Sequence, residues 1–291
     1  MARKTTPLPQ DLVPLHPGLE VLRLAALIAE GDALDEEALD VMFAQMETGA
    51  LAAVSPSDAW RELARGLMSR SPAVMIQALR ECGVLEIVLP EVANLFGVPQ
   101  IADEPAEVDI GEHLLKALVE AARCAAPLEA RFALLTMNVG KADSPREHLP
   151  VHYRHIERGR PRIEAICERF AVPDACRELA LLAVAECERV HRVSEVRAGP
   201  VAALLDRVGA FSNPARFELL MTVCSCDYFA YGKRSEGVYP KARLLDAALK
   251  VCADLDEREF EAAGSVDDVQ VARAVAIAEA FRSQRWSSGA T

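Results

Sequence analysis

Three segments between residues 111 and 162 decide how this chain reads. They are Gly111-Glu112-His113, the apolar run Phe132-Ala133-Leu134-Leu135-Thr136-Met137-Asn138-Val139 ending in Gly140-Lys141, and Pro150-Val151-His152-Tyr153-Arg154-His155 inside an arginine-rich stretch. Four of the six histidines lie here. Apolar residues around them recur every three to four positions, so helices are expected at about 111–124, 128–138 and 151–170. A helix beginning near Pro150 would set His152 and His155, three residues apart, on one face.

The same period runs outward in both directions. Val21, Leu22, Leu24, Ala25 and Ile28 form one face, with Gly31 as its stop, and Leu39, Met42, Phe43 and Met46 form another over about 35–47. Ser55-Pro56, Ser71-Pro72 and Asn213-Pro214 each place a capping side chain before a proline at the first helical position, where a missing N–H costs nothing. Further helices are expected at about 174–189, 200–209, 214–229, 240–253 and 266–285. Met42, Met46, Met68 and Met75 read as core. No long alternating segment offers a strand, so the fold class is all-α. Four prolines before Leu19 predict a flexible arm over 1–18. Pro90, Gly97, Pro99 and the acidic Asp103–Asp109 segment make the longest interruption, which divides 19–100 from 101–291.

Composition narrows the function classes. With 51% hydrophobic and 26% charged residues over 291 positions, the chain can bury a large core and is not disordered. No apolar run approaches the roughly 20 residues that span a bilayer, and Met1–Leu12 has no signal-peptide core, so a cytoplasmic protein without a membrane partner is expected. A net charge of −12 disfavours binding nucleic acid over the whole surface. The eight cysteines contain no Cys-x-x-Cys and read as reduced, buried thiols rather than zinc ligands or disulfides.

Several quoted segments fall in one order. After Ala59-Trp60-Arg61-Glu62-Leu63-Ala64-Arg65-Gly66-Leu67-Met68 come Ala78–Leu85, Leu89-Pro90-Glu91 and Leu95-Phe96-Gly97-Val98-Pro99-Gln100. The three segments around the histidines follow, then Cys226-Asp227-Tyr228 and Tyr239-Pro240. Over about 19–255 this resembles the neck, body and HD phosphohydrolase portion of the bacterial tRNA nucleotidyltransferases, the CCA-adding enzymes. The resemblance implies a multi-helix neck and body at 19–100, followed by a degenerate HD-type helical domain with C-terminal helices at 101–291. In that family the central motif reads His-Asp-x-Gly-Lys. Here the His-Asp pair is Met137-Asn138, and Cys187 stands where a histidine is expected.

The resemblance also sets expectations about chemistry. The family's nucleotidyl-transfer head, with its pair of metal-binding aspartates, has no counterpart before Leu19, so this chain is not expected to add nucleotides by itself. The neck's base-reading arginine falls on Glu20 and a second neck arginine on Asp58, while Glu62 matches. Of the HD ligands, His113, His152, His155 and Asp227 match. These four are the candidate site for a divalent transition metal (Ni, Mn or Zn), set against a reading as hydrogen-bonded remnants of an eroded site. His191 and His16 read as ordinary surface or packing histidines.

Lys141, Arg146, Arg154, Arg158 and Arg162 are the candidate RNA contacts, the last three recurring every four residues. They suit either the phosphates of a tRNA acceptor arm or a solvated face paired with carboxylates. Lys233, Arg234, Lys241 and Arg243 form a weaker basic group. The function expected is a non-catalytic tRNA- or partner-binding scaffold in tRNA 3′-end processing, a pseudoenzyme, with a separate head protein or a second copy as partner and no DNA. The alternative is a residual HD-type phosphohydrolase acting on a nucleotide or cyclic phosphate.

Overall fold

The helix starts written in the sequence appear in a computed structural model that describes residues 17–31, 36–47, 49, 51, 54–103, 105–231, 237–253, 255 and 266–282. In chain order the helices are α1 (Pro17–Gly31), α2 (Glu36–Glu47), α3 (Pro56–Met68), α4 (Pro72–Glu81) and the short α5 (Leu85–Val88) and α6 (Pro90–Ala93). Then follow α7 (Ile110–Arg123), α8 (Leu128–Thr136), α9 (His155–Phe170), α10 (Asp174–His191), α11 (Ala198–Arg207), α12 (Pro214–Phe229), α13 (Pro240–Ala253) and α14 (Val266–Arg282). The fold is all-α. Residues 1–16 of the expected arm, with His16, and also Lys233, Arg234 and 283–285 lie outside the described residues. Pro17 and Gly18 are not part of an arm; they open α1.

Among the described residues, side-chain caps fix three of the helix starts. Ser55 Oγ accepts from Asp58 N at 3.2 Å and Asn213 Oδ1 from Arg216 N at 3.1 Å, each before a proline. Ser71 precedes Pro72 without making a side-chain cap. Asp109 Oδ1 accepts from Glu112 N at 2.9 Å and starts α7. The expected interruption contains a small hairpin, β1 (Pro99–Ile101) against β2 (Glu107–Asp109), antiparallel with Gln100 opposite Val108.

One hydrophobic cluster extends from Val21 to Phe281. α1 packs on α2, α3 and α4; α8 lies along α10; and α12 bridges α7, α8 and α10. Trp60 of α3 meets Phe132 of α8 edge-on with ring centroids 5.5 Å apart. Met42 and Met75 are fully buried, Met46 is half-buried, and Met68 is 45% exposed rather than core. Glu62, inside α3, takes the Arg23 guanidinium at 3.1 Å. Asp58 holds Ser55 and Arg61, and Glu20 accepts from Gln45 at 2.9 Å, so both carboxylates are engaged within the first three helices.

Candidate functional site

α7 carries Gly111 and His113 on its buried side because Ile110, Leu114, Leu115, Leu118 and Ala121 set that face toward the core. A Cβ at Gly111 would lie 2.5 Å from Phe96 Cγ and 2.9 Å from its Cα, so the glycine lets the 95–98 turn close on the helix. His113 is 1% exposed, and its Nε2–H donates to Asp227 Oδ1 at 2.9 Å. Asp227 comes from α12, on the same buried face as Val223 and Cys224.

The second Asp227 oxygen brings in a residue that sequence reading missed. His191 Nε2 donates to Asp227 Oδ2 at 2.9 Å, and His191 Nδ1 lies 2.6 Å from the Tyr239 hydroxyl. Cys187 Sγ is 3.3 Å from His191 Nε2 and 3.5 Å from Cys224 Sγ. His191 is therefore a member of a buried polar cluster and not an ordinary surface histidine. The available signal was the four-residue spacing of Cys187 and His191 inside a helical pattern, which puts both on one face.

The electrostatics of the cluster follow from its burial. Burial pushes the Asp227 carboxyl up, but charge and hydrogen bonds from His113 and His191 outweigh it and hold the group well below the carboxylate range. Burial disfavours a charged His191, yet Cys187 and Asp227 beside its Nε2 raise it to about 10. A charged His191 donates from both nitrogens, matching its two partners. The contact with Cys224 and burial push the Cys187 thiol well up. A second thiol pair, Cys124 just past the end of α7 and Cys226 beside Asp227 in α12, sits 3.7 Å apart, and none of the eight cysteines is in a disulfide.

His152 and His155 do not join His113 and Asp227. The helix expected from Pro150 begins at His155, because Arg154 adopts a left-handed conformation (φ 57°) that cannot continue a helix from 151. His152 precedes it and has both ring nitrogens engaged: Nε2–H donates to Pro99 O at 2.9 Å, and Nδ1 accepts from Ser144 Oγ at 2.8 Å. His155 Nδ1–H donates to His152 O at 2.8 Å, and its Nε2 lies 3.3 Å from Glu188 Oε1. Burial holds both imidazoles below their ordinary value. Of the four residues expected as a metal site, His113 and Asp227 are hydrogen-bonded to each other, while His152 and His155 have partners of their own.

The basic residues fall into two groups. Lys141 is buried, donating to Gln100 Oε1 at 3.1 Å and pairing with Glu188 at 3.2 Å. Arg158 donates to Gly140 O, Tyr153 O and Ser144 Oγ, and Arg162 to Val139 O with Asp143 as its ion-pair partner. The four-residue spacing does place Arg158 and Arg162 on one helix face, but that face clamps the 139–144 turn. Arg146 and Arg154 are exposed, Arg154 beside Glu157 at 3.8 Å.

The 139–144 turn depends on its glycine. A Cβ at Gly140 would fall within contact distance of the His155 carbonyl oxygen, 2.5 Å from Gly159 N and 2.8 Å from Gly159 Cα. Two glycines let the turn touch α9, and Lys141 ties the turn to Gln100 and Glu188. Met137 and Asn138, which precede the turn, are both buried. Gly140→Ala must displace backbone, and we expect a loss of at least the ~1–3 kcal/mol typical of an overpacked core, read as a lower urea midpoint at unchanged slope. A midpoint within error of the parent would contradict this packing.

A metal of the HD kind, implied by the resemblance, has to be weighed against these donors. Its His-Asp pair is replaced and His152 has no nitrogen to give, so the expected ligand set does not fit. Cys187, His191 and Asp227 do bring one sulfur, one nitrogen and one oxygen within 4.8 Å of one another. Among the described residues no helix is long and apolar enough to cross a membrane.

No protein-family model matches the chain. Three curated proteins, each named "Multifunctional CCA protein", are similar to it. That of Cupriavidus necator is 38% identical over 266 residues, covering 89% of this chain and 64% of the relative. That of Laribacter hongkongensis is 40% identical over 240 residues, covering 81% and 59%. That of Burkholderia vietnamiensis is 38% identical over 257 residues, covering 88% and 62%. The chain thus spans about three fifths of the length of the relatives it matches. Through this shared stretch, which contains Gly111-x-His113 and the Gly140-Lys141 turn, the chain belongs to the family of bacterial CCA-adding enzymes.

Proposed function

We propose that this chain is a helical tRNA-binding scaffold related to the nucleotidyltransferases, working in the cytoplasm in the context of tRNA 3′-end processing and contributing no chemistry from its HD-like part. The observation that carries this reading is the fate of the HD residues. Two are replaced by Met137 and Asn138, and His152 and His155 are turned into hydrogen-bonding struts of the 139–155 segment. The phosphohydrolase alternative would need those nitrogens free. Glu20 and Asp58, anionic and engaged within the neck, also suit binding better than the capture of a nucleoside triphosphate.

Exposed Arg146 and Arg154 are the cations best placed for tRNA phosphates, since Lys141, Arg158 and Arg162 hold the fold together. The test is fluorescence anisotropy of a full-length tRNA transcript at two salt concentrations with the parent and an Arg146→Ala/Arg154→Ala variant. The expected result is micromolar or tighter binding that weakens with salt, the variant losing about 1 from the log–log salt slope for each phosphate contact removed. Binding absent at both salts, or unchanged in the variant, would overturn the assignment. A second copy of the chain, or a protein bearing the family's nucleotidyl-transfer head, is the partner we propose for the neck, where Phe43 is 48% exposed. Light scattering after size exclusion should show a dimer or a complex with such a head, and a strict monomer that takes up no head would remove this part.

A further inference from the structure

We propose that Cys187, His191 and Asp227 supply three ligands to a borderline-soft divalent ion of the zinc class, Cys187 and Asp227 standing where the resemblance expects HD ligands and His191 being added from the next turn of α10. Cys187 and His191 lie one turn apart on α10, and Asp227 faces them from α12, which packs against it. The Sγ–Nε2 and Nε2–Oδ2 separations are 3.3 and 2.9 Å. Two ligands of a tetrahedral zinc, at about 2.0–2.3 Å from the ion, stand about 3.3–3.8 Å apart, so small side-chain adjustments suffice.

The atoms beyond the three donors are also arranged as metal ligands require. The nitrogen of His191 that would not bind the ion meets the Tyr239 hydroxyl at 2.6 Å, and the oxygen of Asp227 that would not bind it meets His113 at 2.9 Å. Such outer hydrogen bonds fix ring tautomer and carboxylate direction. Binding replaces the proton between His191 and Asp227 by the cation and sends the Cys187 proton to solvent, leaving a thiolate bound to the ion. Thiolate and imidazole select zinc or cobalt(II) over magnesium or calcium, which demand oxygen. Cys187 is 6% and Asp227 7% exposed, so the ion would brace α10 against α12 without meeting substrate. The next soft donor is Cys224, 3.5 Å from Cys187.

The experiment uses the whole chain, reduced and freed of metal with a chelator, titrated with Co²⁺ and followed by absorbance. One equivalent should bind with a thiolate-to-cobalt charge-transfer band and tetrahedral ligand-field bands, displaced by Zn²⁺ and indifferent to excess Mg²⁺. Cys187→Ser should abolish the charge-transfer band, and Cys176→Ser, a buried thiol of the same helix outside the cluster, should keep it. Tyr239→Phe should weaken Co²⁺ binding by about 10–100-fold while the band persists. Circular dichroism establishes that each variant is folded. Lack of stoichiometric uptake by the parent, a charge-transfer band surviving in folded Cys187→Ser, or unchanged affinity in Tyr239→Phe would overturn the proposal.

Discussion

Asp227→Ala lowers the free energy of unfolding by about 3–5 kcal/mol, the cost of breaking a buried ion pair from one side. The carboxylate is the acceptor for both His113 and His191, and its removal leaves the buried His113 N–H without an acceptor and the part-exposed His191 without its counter-ion. The loss has a pH signature whose sign is fixed by the shifts. Asp227 is depressed, so its contribution is complete above the ordinary carboxyl value of about 4 and is lost as pH falls below it. His191 is raised to about 10, so its contribution is complete below about 6.5 and is lost as pH rises through 10. The gap between parent and variant should therefore be widest between about pH 4 and 6.5 and should narrow on both sides. Urea melts across that range, with chelator present, measure it. A gap independent of pH would mean that packing, not charge, holds the cluster.

Arg131→Ala is expected to cost a similar amount, on the order of 4 kcal/mol, by a different mechanism. Arg131 is 4% exposed, and burial lowers its affinity for the proton. Its Nη1 donates to Leu67 O at 2.7 Å and Ser69 O at 2.9 Å, and its Nε to Ala126 O at 2.8 Å. Leu67 O belongs to the last turn of α3, where unpaired carbonyls concentrate negative charge. One guanidinium on α8 thus fastens the end of α3 to the loop that precedes α8. Truncation leaves three buried acceptors bare at ~1–3 kcal/mol each before any relief by entering water. Arg131→Lys should recover only part of the loss, because an ammonium cannot reproduce the planar fork. Equal stability of Arg131→Lys and parent would show that charge alone suffices there.

How much of this was legible in sequence depends on whether the governing force is local. Helix positions were, because Ser55-Pro56, Asn213-Pro214 and the three-to-four-residue apolar spacing act within one or two turns. The start of α9 was not: His152 and His155 have helical spacing, but the 139–144 turn, packed through Gly140 and Gly159, holds Arg154 left-handed and delays the helix. His113 and Asp227 could be paired only through the resemblance, since 114 residues separate them. His191 was missed because a lone histidine near a helix end looks solvated until its neighbours are placed. The basic spacing of Arg158 and Arg162 was readable, but its use was not, because the carbonyls they clamp carry no side-chain signature. Arg131 left a trace, as a cation beside the run Phe132–Leu135, which its burial explains.

The most direct test of the account is competition between folded tRNA and an unstructured RNA of equal length for the purified chain, at one fixed salt concentration near physiological. Equal charge removes the non-specific contribution from the comparison. A scaffold shaped for tRNA predicts a preference of about tenfold or more for the folded molecule, a difference of ~1.4 kcal/mol. Equal competition, or no binding of either RNA, would contradict the claim that this chain retains a tRNA-binding role.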